Sequence, residues 1–460
     1  MNIENGPKRA YDLAAFRAAI GDVRIYDDPK QVELRSRDYF WYSPILAEDL
    51  GHLVGDLVVV PKDRDEVRSV VAAAARLRIP ITIRGGGTGN YGQCVPLEGG
   101  IVLDMTKLDR ILEIAPGRVR TEAGIRIARL DDAVRETGQE LLMYPSTRRI
   151  ATIGGFFAGG SGGIGSLRNG MLRDDGAVYS ATVMTVEPEP RIIELKGVDT
   201  HKAQHAYGTN GIVLELELGL THATDWAHTA ALFPSYEAAL RFSVKAADDG
   251  LDCYLLTVVD RRFSRFYTKF GELFPPDEDA VFAMVAPTET DRFAAYAAEF
   301  GGRVSFSMSL AELHAKGLQP AYECGFNHTT LQALKAETGW TYLQVAYPRP
   351  FDAGIVTRQM QRFGENQYMH HEIGRLEGET QVFGLPLVRY YDREDAYRVI
   401  REYEELDGCE IYDPHVYTIE DGGMKAIDGD QLAFKRQADP FGLLNPGKTR
   451  GWTPDMAARE

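Results

Sequence analysis

The stretch Ile83–Gln93 reads IRGGGTGNYGQ, and five of its eleven residues are glycine. Gly87, Gly89 and Gly92 satisfy G-x-G-x-x-G, the pattern of a dinucleotide-binding Rossmann turn. Such a turn must run straight into a helix whose N-terminus meets a pyrophosphate. The preceding strand is present as IPITIR. The helix is not, because QCVPLEGGIVLD follows Gly92. Pro96, Gly99 and Gly100 interrupt any helix there, and IVLD reads as another strand. The spacing therefore predicts strand–loop–strand rather than strand–turn–helix. The glycines permit positive φ angles and close approach, so successive backbone N–H groups can form a nest for an anion. Thr88, Asn90 and Gln93 add polar contacts; the alternative is a plain flexible turn.

Working outward, regular α/β alternation begins near residue 55. DLVVVP reads as a short buried strand and DRDEVRSVVAAAARLR as a helix with Val67, Val70, Val71, Ala74 and Leu77 on one face. Either Asp63 or Asp65 caps it. RVRTEAGIRIARLDDAVRETG reads as a strand and then a helix. A second glycine-rich stretch, Thr152–Gly170, follows as TIGGFFAGGSGGIGSLRNG. AVYSATVMTVEPEPRIIEL alternates like a hairpin around Glu187–Pro190, and YGTNGIVLELELGLTHA closes the block near residue 223. From about Asp225 helices such as SYEAALRFSVKAADDG alternate with strands such as CYLLTVVD, which reads as a second α+β domain. An aromatic cluster, DYFWYSPI, precedes the first block, and a turn-rich tail, DPFGLLNPGKTRGW, ends the compact part.

A length of 460 residues implies about two to three domains. The formal net charge of −16 argues against a nucleic-acid partner, which would demand clustered basic residues. The apolar runs are too short to span a bilayer, and MNIENGPKRAYDLAAF has no apolar leader core. Cys94, Cys253, Cys324 and Cys409 are far apart, so neither a disulfide framework nor a zinc site is expected. A cytoplasmic location is the simplest expectation, and a homo-oligomeric state is left open.

Two glycine loops suit an extended diphosphate cofactor wrapped from both sides. The block from about Leu50 to Ala223 resembles the FAD-binding domain of the vanillyl-alcohol oxidase / p-cresol methylhydroxylase family. Five pieces match in order: VVVPKDRDEV, IPITIRGGGTGNYGQCVPLEGGIVLDMTKL, ATIGGFFAGGSGGIGSLRNGMLRD, YGTNGIVLELELGL and the tail DPFGLLNPGK. The resemblance implies an α+β fold: a two-subdomain PCMH-type FAD-binding domain plus an α+β cap with an antiparallel sheet. It implies an N-terminal segment over 1–49, the FAD domain over 50–224, the cap over 225–425, and a tail over 426–460 that returns to the FAD domain. Arg84, Gly85, Gly86, Gly87, Thr88, Gly89, Asn90, Tyr91 and Gln93 would then hold the FAD diphosphate. Pro145, Ser146, Thr147, Thr152, Ile153, Gly154, Gly155, Ala158, Gly159, Gly160, Gly162 and Gly163 would line the ribityl chain and flavin ring. Gly211, Ile212 and Val213 would sit by the adenine, and Asn445 and Lys448 would contact the flavin. Some of these glycines would serve only close packing.

In the family that this block resembles, some members attach FAD through a first-loop histidine, others through a second-loop cysteine, and cap histidines or tyrosines can also serve. No histidine lies between Ile83 and Gln93, and no cysteine between Thr147 and Gly170. Non-covalent FAD is expected, with His370 and His371 as the remaining attachment candidates. FAD would accept a hydride from an alcohol, hydroxy acid or phenolic substrate and pass electrons to an external acceptor: oxygen, a quinone or a redox protein. His328 and His415 are candidate bases, because imidazole titrates near working pH. Arg389 with Tyr390 is a candidate clamp for a carboxylate or phenolate. Asn327, Tyr347, Arg349, Tyr412 and Asp413 are further polar groups of the same region. The run His370, His371, Glu372 offers three ligand types, but neighbours on a strand point apart, so no metal is expected. The metal stretch of many D-2-hydroxy-acid relatives is missing, which weakens D-lactate-like chemistry. An NAD(P)H-fed reductase and a flavin-bearing electron-transfer subunit remain rival readings.

Overall fold

The computed structural model describes residues 11–423 and 427–457. The leader reading rests in part on residues 1–10 and to that extent lies outside the described residues. The first sheet holds four strands: β1 (Arg24–Tyr26), β2 (Leu57–Val60), β3 (Ile81–Arg84) and β4 (Ile101–Asp104). Their order is β1-β2-β4-β3, with β4 parallel to both neighbours. All four residues of β2 and of β4 are buried, as strands covered on both faces must be. The helix Arg64–Leu77 covers one face. Asp63 caps it, accepting the Glu66 amide at 2.9 Å, and Val67, Val70, Val71 and Ala74 are fully buried.

Parallel strands need a long crossover, usually a helix. Here the glycine loop makes that crossover without one. Ile81 and Ile101 are register partners, and the chain between Arg84 and Ile101 contains no helix. The loop thus emerges at the end of β3 and returns to the start of β4.

The second sheet comprises β5 (Ile111–Ala115), β6 (Arg118–Glu122), β7 (Gln139–Leu141), β8 (Val178–Met184), β9 (Ile192–Lys196) and β10 (Ile212–His222). It runs β5-β6-β10-β8-β9, antiparallel throughout, with β7 beside the far end of β10. The expected hairpin is β8–β9, paired from Ser180↔Lys196 to Met184↔Ile192.

A third, eight-stranded antiparallel sheet begins at Ala227–Phe233 and contains Cys253–Val259, His370–Leu376 and Glu379–Gly384 as successive neighbours of Asp279–Val285. The helices Tyr236–Asp248 and Thr290–Glu299 bury Ala239, Phe242, Phe293 and Ala297 against it. One apolar cluster ties the second and third sheets together: Trp226 stacks on Tyr254 at 4.9 Å, and Tyr254 meets Tyr144 at 5.9 Å. Burying each such ring contributes on the order of 2 kcal/mol. The tail returns to the first sheet: Leu444 bridges Ile81 in parallel, and the Asn445 amide donates to the Ile81 carbonyl at 2.7 Å. Asp439 shapes that turn by accepting the amides of Leu443 and Leu444.

Candidate functional site

The first glycine loop leaves its amides free and has three of its carbonyls bonded. Among the described residues, no backbone N–H from Gly85 through Gln93 has a protein acceptor. Three of its carbonyls are tied down from outside. Gly89 accepts from the Tyr39 amide at 2.6 Å, Gln93 from Asn445 Nδ2 at 3.1 Å, and Gly92 from Lys448 Nζ. Gly87 has φ +63, a left-handed conformation that glycine adopts without strain. Gly86 lies so close to the Ile150 carbonyl that a Cβ there would collide with it, so the two glycine loops touch through backbone.

The second stretch is not a simple loop. It holds a short helix, Ile153–Gly159, capped by Thr152 Oγ1 on the Gly155 amide at 3.2 Å. A Cβ on Gly154 would lie 2.7 Å from the Cβ of Ala123, so this glycine serves packing. A Cβ on Gly155 would meet only the cap hydroxyl, at 3.1 Å.

Both stretches open onto one cavity of about 460 Å³, within the usual range for ligand sites. Gly85, Gly86, Gly87, Thr88, Gly89, Asn90, Tyr91 and Gln93 line it from the first loop. Pro145, Ser146, Thr147, Thr152, Gly154, Gly155, Ala158, Gly159, Gly160, Gly162 and Gly163 line it from the second, and Gly211 and Val213 also line it. Five expected contacts lie outside the lining. Arg84 turns away to the carbonyls of Arg35 and Arg37. Ile153 and Ile212 are core residues. Asn445 and Lys448 stand behind the loop.

The four expected catalytic side chains are also outside the lining. His328 follows the cavity residue Asn327 on the helix Asn327–Ala336, and successive helical residues point about 100° apart. Burial pushes its imidazole down to about 4. His415 is buried, bonds Ser43 Oγ through Nδ1 at 2.7 Å, and is pushed down to about 3 by burial. Arg389 stacks its guanidinium 5.1 Å over Trp340, and the Tyr390 amide is spent on the Gly339 carbonyl at 3.0 Å.

Further lining comes from the third sheet and its connections, where the sequence singles out Asn327 and Tyr412 but not Phe326, Gln344 or Phe383. It includes Phe326, Asn327, Gln344, Glu372, Phe383 and Tyr412, and Tyr39 and Tyr42 of the early aromatic cluster join it. Glu372 is fully buried. Its Oε1 accepts from the Phe326 amide at 2.5 Å and Thr257 Oγ1 at 2.8 Å, and lies 2.7 Å from His370 Nε2. Its Oε2 has no partner among the described residues, nor has Asn327 Oδ1. His370 stands behind Glu372. His371 faces the other way, toward Tyr236 OH at 2.6 Å, and burial pushes it down to about 3. Arg173 is the only Arg or Lys in the lining and makes no ion pair among the described residues. Among the described residues no group of His, Cys, Asp and Glu is arranged to hold a metal.

A glycine-lined cavity with free amides on one wall fits a large diphosphate cofactor, and the comparisons name it. Residues 55–190 match the FAD binding domain family. The chain is 32% identical over 203 residues to the D-lactate dehydrogenase of Archaeoglobus fulgidus, covering 42% of this chain and 44% of that protein. It is 37% identical over 117 residues to the glycolate oxidase subunit GlcD of Escherichia coli, covering 25% and 23%. These matches thus span less than half of the curated relatives. A solved alkyldihydroxyacetonephosphate synthase shares the fold, with TM-score 0.71 and 16% identity over 92% of this chain and 82% of that one. The cofactor is FAD, held by an FAD binding domain over residues 55–190, and the fold is that of the solved structure named above. Among the described residues, no helix is long and apolar enough to cross a membrane.

Proposed function

We propose that this chain is an FAD-dependent oxidoreductase that oxidises the CH–OH group of a small 2-hydroxy acid. The observation that carries the reading is one shared cavity, with the free amides of Gly85–Gln93 on one side and Glu372 and Arg173 elsewhere on its walls. Similarity to a D-lactate dehydrogenase and a glycolate oxidase subunit supports 2-hydroxy acids. Arg173 supports a carboxylate, which it can hold by a charge-assisted pair. The aromatic wall of Tyr42, Phe326 and Phe383 favours a second donor class, phenolic or benzylic alcohols.

Bound FAD supplies the hydride acceptor. The first-loop amides hold the diphosphate. Arg173 orients the donor, and the aromatic wall excludes water. Glu372 takes the hydroxyl proton: the substrate O–H bond breaks as an O–H bond forms at the carboxylate. Reoxidation of bound FAD would need an external acceptor: oxygen, a quinone or a redox protein. The flavin is held without a covalent bond. Cys94 lines the cavity, but burial, with Asp38 adding, pushes its thiol up to about 12, and a thiol is a poor nucleophile.

The test is anaerobic titration of the purified yellow protein with D-lactate, glycolate, 4-ethylphenol and NADPH in parallel. Bleaching by a hydroxy acid is expected. Bleaching by the phenol alone would select the second donor class, and bleaching by NADPH alone would overturn both. Acid precipitation of the same protein is expected to release all the flavin into the supernatant; a yellow pellet would refute non-covalent binding.

A further inference from the structure

Lys448 is completely buried, yet it has no carboxylate within ion-pair distance among the described residues. Its Nζ donates to the Gly92 carbonyl and stands 5.5 Å over the Tyr417 ring. A buried ammonium without an ion pair is costly, and one carbonyl and one ring do not repay it. Burial pushes Lys448 down to about 7, with Asp38 and Cys94 opposing. Asn445, three residues earlier in the tail, donates Nδ2 to the carbonyls of both Gln93 and Tyr207. From the other end of the chain, the Tyr39 amide takes the Gly89 carbonyl, and Asp38 Oδ2 takes the Cys94 amide at 3.2 Å. Two distant segments therefore bind the same loop from behind, and mainly by its carbonyls.

A peptide unit whose C=O is drawn outward presents the N–H of the following residue inward. Drawing out the carbonyls of Gly89 and Gly92 fixes the planes that carry the Asn90 and Gln93 amides. This accounts for the Asn90 and Gln93 amides, two of those left without protein acceptors, and it places the buried Lys448 amine behind that part of the loop. We infer that the tail residues Lys448 and Asn445 are positioning residues that hold the first glycine loop in its diphosphate-binding conformation. This inference rests on the reading that the loop holds the FAD diphosphate.

The experiment uses the full-length apoprotein of wild type, Lys448→Met and Asn445→Ser, titrated separately with FAD, ADP and riboflavin. Hydrogen exchange of the peptide over 85–100 is followed in parallel. The wild type is expected to bind FAD and ADP and to lose exchange in that peptide when ADP binds. Lys448→Met is expected to weaken FAD and ADP at least tenfold, to leave riboflavin within about twofold, and to speed exchange over 85–100 while peptides of the third sheet are unchanged. Lys448→Arg, which keeps the donor and the charge, should recover most of the ADP affinity. Equal FAD and ADP affinity in wild type and both variants would overturn the inference. So would equal losses for ADP and riboflavin, which is the signature of a collapsed cavity. If Lys448→Met does not fold, Asn445→Ser and the exchange data decide by the same criteria. Wild-type protein that binds FAD but not ADP would instead remove the diphosphate from this loop, a failure of the underlying reading and not of the clamp alone.

Discussion

Glu372 and His370 lie two residues apart on one strand, face the same side, and approach to 2.7 Å between Oε1 and Nε2. The strand period of two produces this pairing, and it also sends His371 to the opposite face and Tyr236. A carboxylate that accepts several hydrogen bonds on one oxygen is held in a single orientation, with the other oxygen left for a further partner. Glu372 has that arrangement at the cavity wall, built from Thr257, Phe326 and His370.

Replacing Glu372 with Gln keeps the shape and removes the proton acceptor. Glu372→Gln is expected to retain bound flavin with a normal visible spectrum. Its anaerobic bleaching by the best donor should slow by about 10²–10⁴-fold, the usual worth of a positioned general base. His370→Asn, acting through Glu372, should give a smaller loss. Undiminished bleaching in Glu372→Gln would remove Glu372 from the chemistry.

Much of the site was legible in the sequence, and the illegible parts share a cause. Pro96, Gly99 and Gly100 exclude a helix after the first loop by local sterics alone, so strand–loop–strand followed from neighbours in the chain. Asp63 and the apolar stripe of Arg64–Leu77 were legible for the same reason. Glu372 was visible only as a member of a His-His-Glu run. Its setting depends on Thr257 and Phe326, each dozens of residues away, and no local pattern encodes that meeting. The direction taken by Arg84 likewise depends on the carbonyls of Arg35 and Arg37. The tail motif marked Asn445 and Lys448 as close to the cofactor region. Only the fold shows that their donors are consumed by loop carbonyls.

His415 separates a structural histidine from a catalytic one through pH. Burial holds it neutral in the folded state, down to about 3, whereas the unfolded chain takes up the proton near 6.5. Below pH 6.5 the unfolded state therefore binds more protons at this site. The contribution of the neutral imidazole is fully present above pH 6.5 and is lost as pH falls toward 3. Comparison with His415→Asn cancels the other titrating groups. The wild-type stability advantage should shrink by about 2 kcal/mol between pH 7 and pH 5, read from urea unfolding at each pH. A gap that stays constant across that range would show that His415 is not held neutral.

Adjacent glycines of the short helix Ile153–Gly159 separate packing from cofactor contact. Gly154 has no room for a methyl group, since a Cβ would come within 2.7 Å of Ala123 Cβ and 2.8 Å of the Ala123 carbonyl. Backbone cannot swing aside as the end of a long side chain can, so Gly154→Ala should cost about 1–3 kcal/mol despite alanine's better helix propensity. Gly155 faces the cavity, where a new methyl group meets only Thr152 Oγ1 at 3.1 Å. Gly155→Ala should therefore unfold at or near the wild-type temperature and bind FAD more weakly. Thermal unfolding of the apoproteins and FAD titration of each variant give the two readings. If Gly155→Ala lost stability and kept its FAD affinity, Gly155 would belong with Gly154 as a packing residue, and the cofactor would not approach the helix at this point.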